Sequence, residues 1–157
     1  MGSGFLKYIK SAATLVAAIT SVICLGACSF IYNAYDFIEK RTGVDVSSCK
    51  IVTDVDTHGG FHGDGDHYIE VDCSKKADRI SAAVEEWKSL PMTENIGRMV
   101  SGVFPTVENG KYLFIDRHDQ ATDPHDDSEL FDRHSFNFIV AVYDEDNCMF
   151  YYYGFDT

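Results

Sequence analysis

The sequence predicts an α+β domain: an antiparallel sheet of about five strands in the order β-β-α-β-β-β, one main amphipathic helix, and an N-terminal membrane-targeting helix. Three observations lead there. Cys49–Asp56 and His67–Cys73 alternate apolar and polar residues as half-buried strands do. Ile80, Ala83, Val84, Trp87 and Leu90 repeat at helical spacing within Lys75–Leu90. Phe136–Tyr143 and Cys148–Tyr153 are dense in aromatic and β-branched residues. A composition 45% hydrophobic and 13% aromatic supplies a packed core, so a disordered chain is excluded as the starting point.

The chain begins with an address. Lys7 and Lys10 precede an uncharged apolar run over residues 11–28, the pattern of an export signal. Leu25-Gly-Ala-Cys28 resembles a bacterial lipobox, which implies cleavage before Cys28 and lipidation of its thiol. The alternative is an uncleaved anchor. Extended to Phe30, Ile31 and Tyr32, the run reaches about 20 residues, enough to span a bilayer core, with the lysines on the cytoplasmic side. Both readings divide the chain into a signal peptide or anchor (1–28), a helical tether (29–43) and one extracytoplasmic domain (44–157). Ala34, Phe37 and Ile38 give the tether its helical period, and Gly43 is its stop.

Charge narrows the partners. Beyond residue 10 the chain holds 11 Lys/Arg against 25 Asp/Glu. Such a surface repels nucleic acid and anionic headgroups and favours cations or a basic protein partner.

Within the domain, a hairpin centred on Phe61 opposes Ile51 with Val71 and Cys49 with Cys73. Outside the cytoplasm that pair is placed to form a disulfide; as reduced residues the two would pack as small apolar groups. Pro91 ends the amphipathic helix, and Thr93–Val100 gives one further short helix. Lys111–Asp116 is a strand entered through the turn Glu108-Asn-Gly110. Phe136–Tyr143 is apolar on both faces, as an interior strand covered on two sides requires.

The chemistry-bearing residues concentrate in two loops. Asp54–His67 holds four Asp, three His and four Gly in fourteen residues, and Asp116–His134 carries the other three histidines. Carboxylate and imidazole together suit zinc or manganese, and carboxylates alone suit calcium. The candidate ligands are Asp54, Asp56, His58, His62, Asp64, His67, Asp116, His118 and His134. An EF-hand is excluded, because Gly65 stands where its bidentate Glu belongs and the flanks are strands. The competing explanation is structural: glycines supply the turns and aspartates cap backbone N–H groups. His118 beside Asp116 or Asp119 also has the makings of a base and its orienting carboxylate. No Ser or Cys sits in a nucleophile motif, and no Gly-rich phosphate loop follows a strand. Two functions therefore stand open: a non-enzymatic binding module using both loops, and a metal-binding protein or metal-dependent hydrolase.

Asp56-Thr-His-Gly-Gly-Phe-His-Gly-Asp-Gly65, with Trp87-x-x-Leu-Pro91, Asp116-Arg-His118, Asp126-Asp-Ser-Glu-Leu130 and the Tyr-rich end, resembles a group of small uncharacterised proteins of Gram-positive bacteria. Those proteins are membrane-anchored or exported. The resemblance runs over roughly 44–157 and implies a shared fold and an outside location, but no activity. Cys49 and Cys73 stand outside the pattern.

Overall fold

The computed structural model of the chain describes residues 32–59 and 63–157. The compact unit spans Asn33–Thr157. The candidate targeting segment, Cys28 and His62 lie outside the described residues. Among the described residues, no helix is long and apolar enough to cross a membrane.

Helix α1 (Ala34–Thr42) opens the domain. The Asn33 side chain accepts a hydrogen bond from the Tyr35 N–H, and Gly43 closes the helix at φ 76°, a left-handed turn suited to a residue without Cβ. Strands β1 (Lys50–Asp56) and β2 (Gly65–Asp72) form a hairpin. A 3-10 turn (Ser74–Lys76) runs into α2 (Ala77–Ala83). Then come the two-residue β3 (Lys88–Ser89), α3 (Glu94–Met99), β4 (Gly110–Asp116), β5 (Asn137–Asp144) and β6 (Met149–Asp156).

All strands join one antiparallel sheet in the order β1-β2-β6-β5-β4-β3. The α+β expectation holds at this level, with six strands where about five were expected. Both faces are covered, as the two-sided apolar character of β5 required. Ile69, Val71, Ile139, Ala141, Phe150 and Tyr152 point to a first face, packed under Ile38, Val44, Val46, Ile80 and Val84. Phe138, Val140, Val142, Tyr112 and Phe114 point to a second face, under Ile96, Val100 and Leu130. Helix α1, expected as part of a tether, is thus built into the core: Ile38 is fully buried.

Two elements depart from expectation. The helix expected over Lys75–Leu90 ends at Ala83, and β3 follows. Ile80 and Val84 are fully buried on the first face and Trp87 packs there, but Leu90 belongs to the second face. The chain has to round the sheet edge between them, and pairing Lys88 with Tyr112 and Ser89 with Lys111 makes that passage. One straight helix cannot serve two faces.

The second departure is in β1. Ile51 opposes Val71 as expected, but the register then slips, so that Thr53 opposes Glu70, Asp54 opposes Ile69 and Asp56 opposes His67. The extra residue is a β-bulge. Directly opposed residues share a face. Asp54 and Asp56 are thereby turned to the first face, and Val55 to the second with Tyr68. Unbroken alternation from Ile51 would have placed the carboxylates on the wrong side of the sheet.

The tyrosine-rich core makes an alkaline limit predictable. Burial pushes the Tyr68 and Tyr152 phenols up to about 12 from 10.0, and burial raises Tyr112, Tyr143, Tyr151 and Tyr153 as well. A folded-state pKa above the unfolded one means that stability is intact below pH 10 and is lost as pH climbs toward 12. Tyr152, 1% exposed, contributes on the order of 3 kcal/mol by this route. Phenolate absorbance from these six tyrosines is expected to appear late and together with loss of ellipticity. Titration of these six near pH 10 in a still-folded chain would contradict this.

Candidate functional site

The antiparallel topology decides which residues meet. β1, β6 and β4 end where β2 and β5 begin, so the loops 57–64 and 117–136 leave the same end of the sheet. Between them stand Asp156, at the end of β6, and Asn137, at the start of β5, which oppose each other in register.

On the first face this end carries a chain of alternating carboxylates and imidazoles. His67 is 3% exposed, and its Nε2 lies 2.8 Å from Asp54 Oδ1. Its Nδ1 lies 4.0 Å from Asp56 Oδ2. Asp56 Oδ1 accepts from both the backbone N–H of His58 (2.9 Å) and its ring Nδ1 (2.6 Å). His58 Nε2 then faces Asp156 Oδ2 at 3.5 Å. The order is Asp54–His67–Asp56–His58–Asp156.

The surroundings tune these groups. The Phe37 ring of α1 lies 4.6 Å from that of His67, and Tyr152 approaches both rings. Burial works to raise the Asp56 carboxyl, but the hydrogen bonds from His58 and the charges of His67 and His58 outweigh it and hold Asp56 below the usual carboxylate range. Arg41 and Arg117 act on the Tyr152 phenol against Asp156 and Asp56, which puts two cations within electrostatic reach of this end.

One feature at this end is chemically unsatisfied. His58 Nε2, Asn137 Oδ1 and Asp156 Oδ1 are buried atoms without a hydrogen-bond partner. Asn137 Oδ1 and Asp156 Oδ1 are acceptors, whereas His58 Nε2 is a donor in the charged imidazole and an acceptor in the neutral ring protonated on Nδ1. The two oxygens are acceptors in either case, and each lacks a donor. Buried acceptors left unpaired cost about 1–3 kcal/mol apiece. A proton, a cation or an N–H group would satisfy several at once.

The remaining ligand candidates lie elsewhere. Asp116 is buried, accepts from the His118 backbone N–H at 2.9 Å and is ion-paired with Arg133, which is itself 8% exposed. Those bonds occupy the carboxylate structurally. His118 Nδ1 accepts from Gln120 N–H at 3.2 Å, and its Nε2 meets Ser135 Oγ at 3.2 Å. His125 Nδ1 bonds the Phe114 carbonyl at 2.8 Å. His134 and Asp64 are exposed. The two loops share an end of the sheet, yet among the described residues no contact joins a histidine of one to a histidine of the other. Neither is any group of three His, Cys, Asp or Glu side chains arranged there to hold a metal ion.

Thr57 and His58 are positioned by a close approach at Gly65. A Cβ at that position would lie 2.7 Å from both Cα and N of His58. Thr57 and Asp66 close the loop, with Thr57 N–H donating to Asp66 O at 2.8 Å and Asp66 N–H to Thr57 Oγ1 at 2.8 Å. Sequence reasoning did not single out Asp156, Asn137 or Phe37. The signal that reaches the first two is topological: in the sheet order, the end of β6 and the start of β5 must flank the glycine-rich loop.

Fold and site together define an α+β domain, one two-sided antiparallel sheet carrying an acidic, imidazole-bearing end. No family model, no curated protein and no solved structure matches the chain.

Proposed function

We propose that this chain is a membrane-anchored, extracytoplasmic binding module that captures a cationic, hydrogen-bond-donating group at the Asp56–His58–Asp156–Asn137 end of the sheet. The observation that carries the reading is the pair of buried acceptor oxygens without donors, Asn137 Oδ1 and Asp156 Oδ1, beside the unpartnered His58 Nε2. A lysine ammonium, an arginine guanidinium or an N-terminal amine of a basic protein partner offers the missing N–H groups with the matching charge. The acidic balance of the chain, −12 in formal charge, adds long-range attraction for such a partner. The outside location rests on the basic-then-apolar N-terminus and the lipobox-like Leu25–Cys28.

A second reading has its own observation. An imidazole whose one nitrogen is fixed by a carboxylate is the arrangement that orients metal-binding histidines, and Asp56 holds His58 Nδ1 in this way. His58 Nε2, Asp156 and the Asn137 amide oxygen would then serve zinc, manganese or calcium.

Calorimetry on the full chain separates the two. A lysine-rich peptide is expected to bind in metal-free buffer, weakening at least tenfold in Asp156→Asn and His58→Ala. Stoichiometric metal with no peptide binding would support the second reading, and the absence of both would end the proposal. Gly65→Ala provides an independent check. Its Cβ cannot fit against His58 without displacing the loop, so binding should fall at least tenfold while the circular dichroism of the sheet is retained.

A further inference from the structure

We propose that Cys49, Cys73 and Cys148 form a thiol–disulfide exchange site at the opposite end of the sheet, with Cys73 as the shared sulfur and Cys49 as the entry point for a small acidic disulfide of the glutathione class. The three cysteines are free thiols in the structure, so the Cys49–Cys73 bridge expected from the hairpin is not formed there. Their positions are set by register. Lys50 opposes Asp72, which puts Cys49 and Cys73 at the next step of the β1–β2 pair. Asp72 opposes Met149, and the Cys73 N–H donates to the Cys148 carbonyl at 2.9 Å, which makes Cys73 and Cys148 the next step of the β2–β6 pair. Residues opposed across antiparallel strands stand roughly 4.5–5.5 Å apart at Cα, inside the span of about 4.4–6.8 Å that a disulfide bridges. The row crosses three neighbouring strands.

The thiols also interact as a group. Cys73 is fully buried, and its thiol is held protonated first by burial, then by the neighbouring Cys49 thiol, with Cys148 also within electrostatic reach. Cys49 is half-buried and lines an open cleft of about 460 Å³ with Ser48, Lys50, Asp72, Ser74 and Lys75. Two lysines against one aspartate favour an incoming reagent that carries carboxylates.

The chemistry balances without an unnamed oxidant. The Cys49 thiolate attacks an external disulfide RSSR, forming Cys49–S–S–R and releasing one RS⁻. The Cys73 thiolate then attacks the Cys49 sulfur and expels the second RS⁻. Two protein thiols are oxidised to one bridge and one RSSR is reduced to two RSH. Cys148, across the next strand, reaches the same Cys73 sulfur and moves the bridge by a second exchange. The closing step needs the buried Cys73 as thiolate, so its rate should rise about tenfold per pH unit around neutrality.

The test uses the reduced full chain, oxidised glutathione, and peptide mapping without reduction. A Cys49–Cys73 bridge is expected in the wild type, with Cys73–Cys148 appearing after it, and neither bridge in Cys49→Ser, which lacks the entry thiol. In Cys73→Ser, a glutathione adduct should persist on Cys49. Glutathione disulfide should react faster than the cationic disulfide cystamine at low salt. A Cys49–Cys148 bridge, a bridge to Cys24 or Cys28, adducts without any internal bridge in the wild type, or equal rates for the two reagents would each overturn the proposal. The wild-type map and rates stand even if a serine variant fails to fold.

Discussion

Phe150→Ala is expected to lower the free energy of unfolding by about 3–5 kcal/mol, the range for deleting a buried phenyl ring. Phe150 is fully buried on β6, between Val71 of β2 and Tyr143 of β5 in register, with the Trp87 ring 5.9 Å away. Rigid neighbouring strands on both sides leave little room for collapse into the vacated volume, so the cavity cost adds to the lost transfer energy. Against a total stability of about 5–15 kcal/mol for an ordinary domain, this one change removes a large fraction. The denaturation midpoint should fall with the slope unchanged. Phe150→Leu keeps most of the volume and should cost about 1.5 kcal/mol or less. Equal losses for the two would show that the ring is not sealed in the core.

Asp116→Ala is expected to cost about 3–5 kcal/mol, because it strands a buried guanidinium. Arg133 is 8% exposed and Asp116 2% exposed by side chain, and the other carboxylate near Arg133, on Glu129, is 3.8 Å away and largely exposed. The His118 N–H loses its acceptor at the same time. Removing both partners should recover most of the loss, since a buried pair replaced by apolar groups of similar size is close to neutral. Asp116→Ala combined with Arg133→Met should therefore be more stable than Asp116→Ala alone. Chelator should leave all three proteins unchanged. Chelator sensitivity in the wild type that Asp116→Ala abolishes would return Asp116 to the role of metal ligand that its sequence neighbourhood suggested.

The hairpin strands were legible from their alternation, and the two C-terminal strands from their density of aromatic and β-branched residues. The helix at Lys75–Leu90 was overread for a definable reason. Ile80, Val84, Trp87 and Leu90 fit one helical stripe, but that period says nothing about a sheet edge lying between Trp87 and Leu90. The bulge in β1 was hidden because Cys49, Ile51, Thr53 and Val55 alternate without a break. What selects the shifted register is the pairing of a buried imidazole with Asp54, a contact thirteen residues away. His58, His67, Asp54 and Asp56 were recoverable as members of one rich loop. Asp156 and Asn137 were not, being solitary polar residues at strand ends whose meeting depends on β6 lying beside both β2 and β5. In the second loop, His118 Nδ1 lies 3.2 Å from the Asp119 carboxylate, one of the two pairings its composition offered, while Asp116 and His125 answer local backbone and ion-pair needs.

The irregularity in β1 also bears on how the molecule behaves in a crowd of its own kind. β1 is an outermost strand and exposes Val52 and Val55, each 51% accessible, beside a row of backbone groups with no neighbouring strand. A flat apolar edge of that length invites strand-to-strand polymerisation. The extra residue bends and twists that edge, and Asp54 and Asp56 add like charges that two such edges would have to bring together. The opposite border, β3, is only two residues long. A sheet with these borders resists fibrillar self-assembly at both sides.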